Sequence, residues 1–112
     1  MKGTELVLKA LIDNGVKFIF GYTGGAIMPI FDEMEKQKSL SFIMSRHEQG
    51  AAFMAQGISR ASLSTSHPRT GVCMATSGPG AMNLVTGIAD ANMDSVPVLA
   101  ITGQVPTGVI AT

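Results

Sequence analysis

Glu48 is the residue of this chain best placed for proton transfer. It follows the apolar run at 41–44 and opens a helical pattern, which puts it at the carboxyl end of a predicted strand. In parallel sheets ligands bind just beyond such strand ends, where a carboxyl group among apolar neighbours is hard to ionise fully and can exchange protons near neutral pH. Ser45 and Glu48 also fit a helix capping box, and the local pattern by itself favours that structural interpretation.

A second cluster follows the apolar run at 71–75. Residues 76–80 read TSGPG, and Pro79 suits the first turn of the helical pattern that comes next. Free N–H groups at such a helix start can hold an anion or a ligand carbonyl, and Asn83 lies one turn further along. A simple turn with a helix cap explains these residues equally well.

Glycines and a side-chain amide follow the first and fourth apolar runs. Residues 21–25 read GYTGG, and Gln104 follows the run at 98–101. The adjacent glycines Gly24 and Gly25 permit close approach of the backbone to a ligand, although a tight turn without a ligand would also explain them. Gln104 offers both a donor and an acceptor. We therefore expect one ligand site assembled from several strand ends.

Two common kinds of nucleotide site do not fit the chain. Residues 78–83 match only the first two glycines of the dinucleotide fingerprint, because Asn83 replaces the third small residue. The strand at 98–101 ends in Thr102, not in the acidic residue that would hold a ribose. The glycine-lysine-serine/threonine triplet of a phosphate-binding loop is absent from the sequence.

Metal and nucleophile chemistry is also disfavoured. His47 and His67 have no cysteine or carboxylate partners at zinc spacing, and neither is placed as the base of a catalytic triad. Cys73 lies within an apolar run and is interpreted as a small buried hydrophobe. No residue is therefore expected to bind a metal.

The elements that must position these clusters alternate between helical and strand patterns. Helices are predicted at 4–14, 26–37, 48–62 and from Pro79 onward, and strands at about 17–20, 41–44, 71–75 and 98–101. Thr4 is expected to cap the first helix and Gly15 to end it. The alternation predicts an α/β fold with a parallel sheet that carries helices on both faces.

Composition limits the kinds of partner that the chain can bind. The chain has 112 residues, 46% of them hydrophobic and 14% charged, where a soluble domain has about 25% charged residues. The net charge of zero disfavours nucleic-acid binding, and no apolar stretch approaches the ~20 residues of a membrane span. Low charge with a mean hydropathy of +0.30 indicates a surface that other protein covers.

The sequence also indicates the compartment and the number of domains. The single cysteine excludes an internal disulfide, and no signal-peptide core opens the chain, so a cytoplasmic protein or one from an organelle interior is expected. The last residues form no predicted helix and carry no charged tail. Residues 1–112 are therefore interpreted as one domain, the first of a longer chain.

Four segments, taken together and in order, resemble one family of enzymes. They are FGYTGGAI at 20–27, RHEQGAA at 46–52, TSGPGAMNL at 76–84 and ITGQV at 101–105. The sequence is similar to the N-terminal, pyrimidine-binding domain of thiamine-diphosphate enzymes, and most of all to the large catalytic subunits of acetolactate (acetohydroxyacid) synthases. The similarity covers essentially the whole chain, and the four segments are specific as a set.

The resemblance implies a role for Glu48 that the local pattern leaves open. In this family the glutamate at this position hydrogen-bonds N1′ of the cofactor's aminopyrimidine and thereby activates the cofactor. The implied reaction decarboxylates pyruvate and joins the remaining two-carbon unit to a second 2-oxo acid, pyruvate or 2-oxobutyrate. The products, 2-acetolactate or 2-aceto-2-hydroxybutyrate, begin branched-chain amino-acid synthesis.

The same resemblance assigns roles to the other clusters. Cofactor contacts are implied at Tyr22, Gly24, Gly25, Thr76, Pro79, Asn83 and Gln104. Ala26 and Pro97 are implied to line the substrate channel.

Some positions depart from the family pattern. Thr23 stands where proline is usual, Met82 where threonine is usual, and Gln56 where an acidic residue is common. Residues 63–69 are longer than the usual short turn and are interpreted as a surface insertion. None of these departures removes the glutamate.

The resemblance also implies parts that residues 1–112 do not hold. Mg²⁺ and the diphosphate would be bound by a later domain and FAD mainly by a middle domain. A homodimer or tetramer through the pyrimidine domain, and a small regulatory subunit, are further implied. On its own this chain is expected to be inactive.

Two alternatives stay open at this point. A pyruvate oxidase or a glyoxylate carboligase shares the same cofactor chemistry, although Gln49 and the segment at 101–105 favour the synthase. A non-catalytic nucleotide-binding module belongs to another class and is disfavoured by the imperfect glycine pattern.

Overall fold

A computed structural model describes residues 1–110 of the chain and shows strands alternating with helices. The strands are β1 (Phe18–Gly21), β2 (Ser41–Met44), β3 (Gly71–Ala75) and β4 (Val98–Thr102). The helices are α1 (Gly3–Asp13), α2 (Met28–Met34), α3 (Glu48–Ser62), α4 (Pro79–Met82) and α5 (Val85–Met93). Short 3₁₀ turns lie at Gly25–Ile27 and Thr107–Val109.

The four strands form one parallel sheet in the order β2-β1-β3-β4. Phe20 lies opposite Ile43 of β2 and Cys73 of β3, and Ala75 lies opposite Thr102 of β4. The chain runs outward from β1 to β2 and then returns past β1 to β3. The order therefore reverses between β1 and β3, and ligands of open α/β sheets bind beside such a reversal.

Helices cover both faces of the sheet, as predicted, and each face has its own buried cluster. On one face, strand residues pack against side chains of α1, α2 and the first 3₁₀ turn; the buried members are Leu8, Leu11, Ile19, Ile27, Met34, Leu40, Val72 and Met74. On the other face they pack against α3 and the segment between α4 and α5; the buried members are Phe20, Ala51, Ala52, Ala55, Cys73, Ala75 and Leu84. Successive strand residues point to opposite faces, so β1, β3 and β4 contribute to both clusters, whereas β2 contributes Phe42 to the first.

Small residues bring α3 close to its neighbours. A Cβ added to Gly87 of α5 would overlap the Ala52 methyl group, and one added to Gly71 would overlap the Ala55 carbonyl group. Such close approach holds α3 against β3 and α5, so the start of α3 has a fixed position relative to the sheet.

Two predicted helix boundaries are wrong for local reasons. The cap of α1 is Lys2, with Thr4 inside the helix. Helix α2 ends at Met34, because the Gln37 side-chain amide donates to the carbonyls of Met34 and Leu40 and accepts from the Leu40 N–H. These side-chain bonds replace the backbone bonds of a further helical turn.

The helix predicted from Pro79 is interrupted, whereas the end of α1 is as expected. Leu84 donates its N–H to Ala81, three residues back, and this tight turn separates α4 from α5. Gly15 has φ +82°, a conformation that suits glycine just after a helix.

Residues 63–69 are exposed, and the Ser62 hydroxyl closes this loop by accepting from the Arg69 N–H at 2.7 Å. Among residues 1–110, no helix is both long enough and apolar enough to cross a bilayer.

Candidate functional site

Glu48 is the first residue of α3 and directly follows the turn after β2. Only 8% of its surface is exposed. The Asn83 side-chain amide donates to Glu48 Oε1 at 3.1 Å, and no ion pair in the described part of the chain includes Glu48. A carboxyl group that is buried and held by a neutral donor can offer its other oxygen to a ligand.

The capping box predicted for Ser45 and Glu48 is wrong. Helix α3 begins at Glu48, so Glu48 occupies the first helical position and not the third, which a capping box requires. His47 is the cap, and its Nδ1 accepts from the Gln49 N–H at 3.0 Å. The Ser45 hydroxyl instead donates to the carbonyl of His47 at 2.7 Å. Glu48 therefore does not cap α3, and its carboxyl group is available for other contacts.

Thr76 joins the loops that follow β1 and β3. Its Oγ1 accepts from the Ala26 N–H at 3.2 Å. A Cβ added to Gly24 would lie 2.5 Å from Thr76 Cβ, and one added to Gly80 would lie 2.7 Å from Thr76 Cγ2. The Thr76 side chain therefore packs between the backbones of Gly24 and Gly80. Any larger residue at either glycine would force Thr76 or the backbone to move.

Gly80 also borders the carboxyl group. A Cβ added at Gly80 would lie 3.3 Å from Glu48 Oε2. Pro79 occupies the first turn of α4, and Gly78 before it has φ +59°, a conformation that favours glycine. The structure thus brings Glu48, Thr76, Gly80 and Asn83 together at the carboxyl end of the sheet.

The end of β4 reaches the same edge. The Gly103 N–H donates to the Ala75 carbonyl at 2.9 Å, and a Cβ added to Gly103 would lie 2.7 Å from the Ala26 carbonyl oxygen. Gln104 follows, exposed, with its Oε1 accepting from the Val105 N–H at 2.8 Å.

The loop after β1 carries the remaining residues assigned to the cofactor. Tyr22 donates its N–H to the Met74 carbonyl at 3.4 Å, and 39% of Tyr22 is exposed. Gly25 is exposed and begins the first 3₁₀ turn. Loops after β1, β3 and β4 therefore meet next to the start of α3.

The structure does not bring Pro97 to this edge. Pro97 precedes β4, whose first residue Val98 lies opposite Gly71 at the amino end of the sheet. The length of β4, about 16 Å at ~3.3 Å per residue, separates Pro97 from the other predicted site residues. Pro106, which sequence reasoning did not single out, follows β4 at the carboxyl end.

A cavity of about 850 Å³ lies at the amino end of the sheet, away from Glu48. Its lining includes Leu11, Phe18, Ile58, Arg69 and Val72. None of the residues assigned to the cofactor borders it. The side chains that converge on Glu48 form an open edge at the other end of the strands, so this cavity is separate from the candidate site.

The other reactive side chains have structural roles. Cys73 is buried in β3, and burial raises the pKa of its thiol to about 11, so the thiol stays protonated at neutral pH. His67 bonds through Nδ1 to the Ser66 hydroxyl at 2.8 Å in an exposed loop. Within residues 1–110, no three histidine, cysteine, aspartate or glutamate side chains gather as a metal site.

Comparison with known proteins decides the family. Residues 1–111 match the family model described as "Thiamine pyrophosphate enzyme, N-terminal TPP binding domain". The chain belongs to the thiamine pyrophosphate (thiamine diphosphate) enzymes. The resemblance inferred from the four sequence segments is thereby confirmed at the level of the family.

Several curated relatives of this thiamine diphosphate enzyme domain share its sequence over nearly its whole length. It is 56% identical over 110 residues to a probable acetolactate synthase large subunit of Methanocaldococcus jannaschii, covering 98% of this chain and 18% of the relative. It is 52% identical over 112 residues to the acetolactate synthase isozyme 2 large subunit of Escherichia coli, covering 100% of this chain and 19% of that protein.

A plant relative matches the chain over the same extent at a somewhat lower identity. The chain is 48% identical over 111 residues to the chloroplastic acetolactate synthase of Arabidopsis thaliana, covering 99% of this chain and 16% of that protein. The chain therefore spans less than a fifth of the length of the curated relatives it matches.

The residues at this edge fit one half of a thiamine diphosphate site. A carboxyl oxygen can hydrogen-bond a ring nitrogen, and glycine backbone lets a flat ring approach closely. Glu48 Oε2 has no hydrogen-bond donor in the described part of the chain, and Gly24 and Gly80 leave only backbone around Thr76.

Two site features were not found by sequence reasoning. The first is the bond between Asn83 and Glu48, which joins side chains 35 residues apart. The second is the contact of Gly80 with both Thr76 and Glu48. The only available signal was the co-occurrence of both segments at strand ends, which predicts proximity but not which atoms meet.

Proposed function

We propose that this chain is the pyrimidine-binding part of an acetolactate synthase, which decarboxylates pyruvate and joins the product to a second 2-oxo acid in branched-chain amino-acid synthesis. The membership in the thiamine diphosphate family and identities of 48–56% to proteins named acetolactate synthase support this proposal. The observation that carries the mechanism is the buried Glu48 carboxyl group with one oxygen held and the other open.

Glu48 is proposed as the catalytic residue. When bound, thiamine diphosphate supplies a nucleophilic carbon that adds to the keto carbon of a 2-oxo acid. Glu48 Oε2 would hold or take up a proton at N1′ of the aminopyrimidine, and burial strengthens that hydrogen bond because little water competes. Glu48 would thereby set the protonation state of the cofactor from the protein side.

The neighbouring residues would bind and orient the cofactor and substrate. Contacts to the cofactor are proposed for Tyr22, Gly24, Gly25, Thr76, Pro79, Asn83 and Gln104. Glycines at 24 and 80 let the backbone approach the ring closely, and Thr76 ties the two loops that flank it. Ala26, whose N–H is held by Thr76, is proposed to line the substrate channel, whereas Pro97 lies at the opposite end of the sheet and is left out of it.

The rest of the cofactor set is proposed to lie outside residues 1–112. Mg²⁺ and the diphosphate would be held by a later domain and FAD by a middle domain. Isolated, this chain would carry half of a cofactor site and form no product.

Partners and location are further proposals. Substrates would be pyruvate and 2-oxobutyrate, and the subunit would form a homodimer or tetramer through this domain. Relatives named "large subunit" support a small regulatory subunit as a partner. A cytoplasmic location is supported by the single cysteine, which is buried and unpaired.

The test compares products made by the full-length protein with thiamine diphosphate, Mg²⁺ and FAD. Pyruvate should yield CO₂ and 2-acetolactate in a ratio of one to one. Acetyl phosphate or hydrogen peroxide would instead indicate a pyruvate oxidase. Tartronate semialdehyde formed from glyoxylate would indicate a glyoxylate carboligase. Binding of a labelled dinucleotide with no 2-oxo-acid turnover would favour a nucleotide-binding module.

A further inference from the structure

We infer that Asn83 is a positioning residue, which holds the Glu48 carboxyl group so that Oε2 alone faces the bound pyrimidine. This inference rests on the function proposed above and extends it to a residue that acts through Glu48.

The hydrogen bond itself distinguishes the two carboxyl oxygens. Asn83 Nδ2 donates to Oε1 at 3.1 Å. Oε2 receives no hydrogen bond from residues 1–110 and faces Gly80, where an added Cβ would lie 3.3 Å away. One oxygen is therefore fixed by a donor, and the other lies against a position with no side chain. Because Oε1 is held, the orientation of the carboxyl group is fixed and Oε2 faces a bound ligand in one direction.

The backbone around Asn83 sets the direction of its side chain. Asn83 lies at the break between α4 and α5, where its N–H donates to the Pro79 carbonyl at 3.0 Å. The next residue, Leu84, is fully buried (0% exposed) in the cluster under α3. The buried Leu84 and the tight turn at Ala81 together anchor this segment, so the amide is aimed at Glu48 by the fold.

Other polar neighbours do not share this task. His47 turns its ring to the Gln49 N–H, and Arg46 is exposed without an ion pair to Glu48. Ser45 donates to backbone carbonyls. Among the described residues, Asn83 is thus the side chain that donates to the Glu48 carboxyl group.

A double-mutant cycle in the full-length protein tests this role. The variants are Asn83→Ala, Glu48→Ala, which removes the acceptor, and the double variant, with Asn92→Ala, an exposed asparagine of α5, as the matched control. Two quantities are measured for each: the dissociation constant of thiamine diphosphate with Mg²⁺ by equilibrium dialysis, and kcat for pyruvate. The cycle separates action through Glu48 from an independent structural effect.

We expect Asn83→Ala to lower kcat about 10- to 100-fold and to weaken cofactor binding, because a hydrogen bond to a charged group is lost. In the Glu48→Ala background, where no acceptor is left, the same change should cost less than about 3-fold in either quantity. Asn92→Ala should match the wild type. Asn83→Asp keeps the shape but removes the donor and sets two carboxyl groups together, so its loss should be at least as large.

Equal losses from Asn83→Ala in both backgrounds would overturn the inference and show that Asn83 acts independently of Glu48, as a cofactor contact or as a structural residue. Wild-type behaviour of both Asn83→Ala and Asn83→Asp would overturn it as well. If the wild-type protein formed no acetolactate, the proposed function would fail, while the cycle on cofactor binding would still measure the coupling of Asn83 to Glu48.

Discussion

Ala26 and Thr76, 50 residues apart in sequence, are joined by a hydrogen bond from the Ala26 N–H to Thr76 Oγ1 at 3.2 Å. This bond connects the loop after β1 with the loop after β3, where the strand order reverses. The methyl group of Thr76 is in turn the atom that a side chain at Gly80 would meet. Thr76 therefore contributes a hydroxyl to one loop and a closely packed methyl to the other.

The Gly80→Ala change should destabilise the site by about 1–3 kcal/mol, because the new Cβ would lie 2.7 Å from Thr76 Cγ2. Thr76→Ser removes that methyl but keeps the hydroxyl that Ala26 needs. The double variant should therefore recover most of the lost stability. Hydrogen exchange of α4 peptides in the full-length protein reports the local free energy of opening.

Gly24→Ala provides the matched control for this rescue. Its Cβ would meet Thr76 Cβ at 2.5 Å, an atom that serine retains. Thr76→Ser should therefore fail to rescue Gly24→Ala. Rescue of both glycine variants, or of neither, would show that the described packing around Thr76 is wrong.

Two glycines that both have open space should respond in opposite ways to alanine. Gly57 lies inside α3, and alanine there should stabilise the helix by about 0.8–1 kcal/mol. Gly78 has φ +59°, so alanine there should destabilise by about 1–2 kcal/mol despite the free space. Hydrogen exchange of the α3 and α4 peptides measures both effects, and a loss at Gly57 would contradict the account.

Cys73 should resist thiol reagents in the native protein. Burial raises the pKa of its thiol to about 11, so at pH 8 about one thiol in a thousand is ionised. The peptide that contains Cys73 should stay unlabelled by iodoacetamide until denaturant is added. Rapid labelling of this peptide in the native protein at pH 8 would show that the thiol is accessible.

The same thiol predicts a dependence of stability on pH. Its pKa is 9.0 when unperturbed and about 11 in the folded chain, so the unfolded state releases the proton first as pH rises. The contribution of Cys73 to the free energy of unfolding is fully present below pH 9 and is lost as the pH rises to about 11. Cys73→Ala should lack this component of the pH dependence, which hydrogen exchange of β3 peptides at several pH values would reveal.

The sequence allowed the main elements and the edge of the site to be predicted. Strands β2 and β3 and helix α3 have the predicted bounds, because their apolar runs and helical spacing are clear in the sequence. Glu48 was correctly placed at a strand end. Its capping interpretation failed because the start of α3 depends on His47, a residue that pattern reasoning does not favour as a cap.

Long-range contacts account for what could not be predicted. The apolar spacing after Pro79 continues through the break at Asn83, so nothing in the pattern reveals the break. Gln37 ended α2 early through three side-chain bonds that depend on the position of Leu40. The placement of Pro97 followed the resemblance alone, whereas strand direction puts it at the amino end.

The most direct test of the central claim is the Glu48→Gln change in the full-length protein loaded with thiamine diphosphate, Mg²⁺ and FAD. Acetolactate formation from pyruvate is measured for the wild type, for Glu48→Gln, and for Glu35→Gln, an exposed glutamate at the end of α2, as the control. The account predicts a loss of at least ~100-fold for Glu48→Gln, the size expected for an acid–base group, with unchanged folding and a control equal to wild type. Equal activity of Glu48→Gln and the wild type would contradict it and leave the Glu48 carboxyl group without a catalytic role.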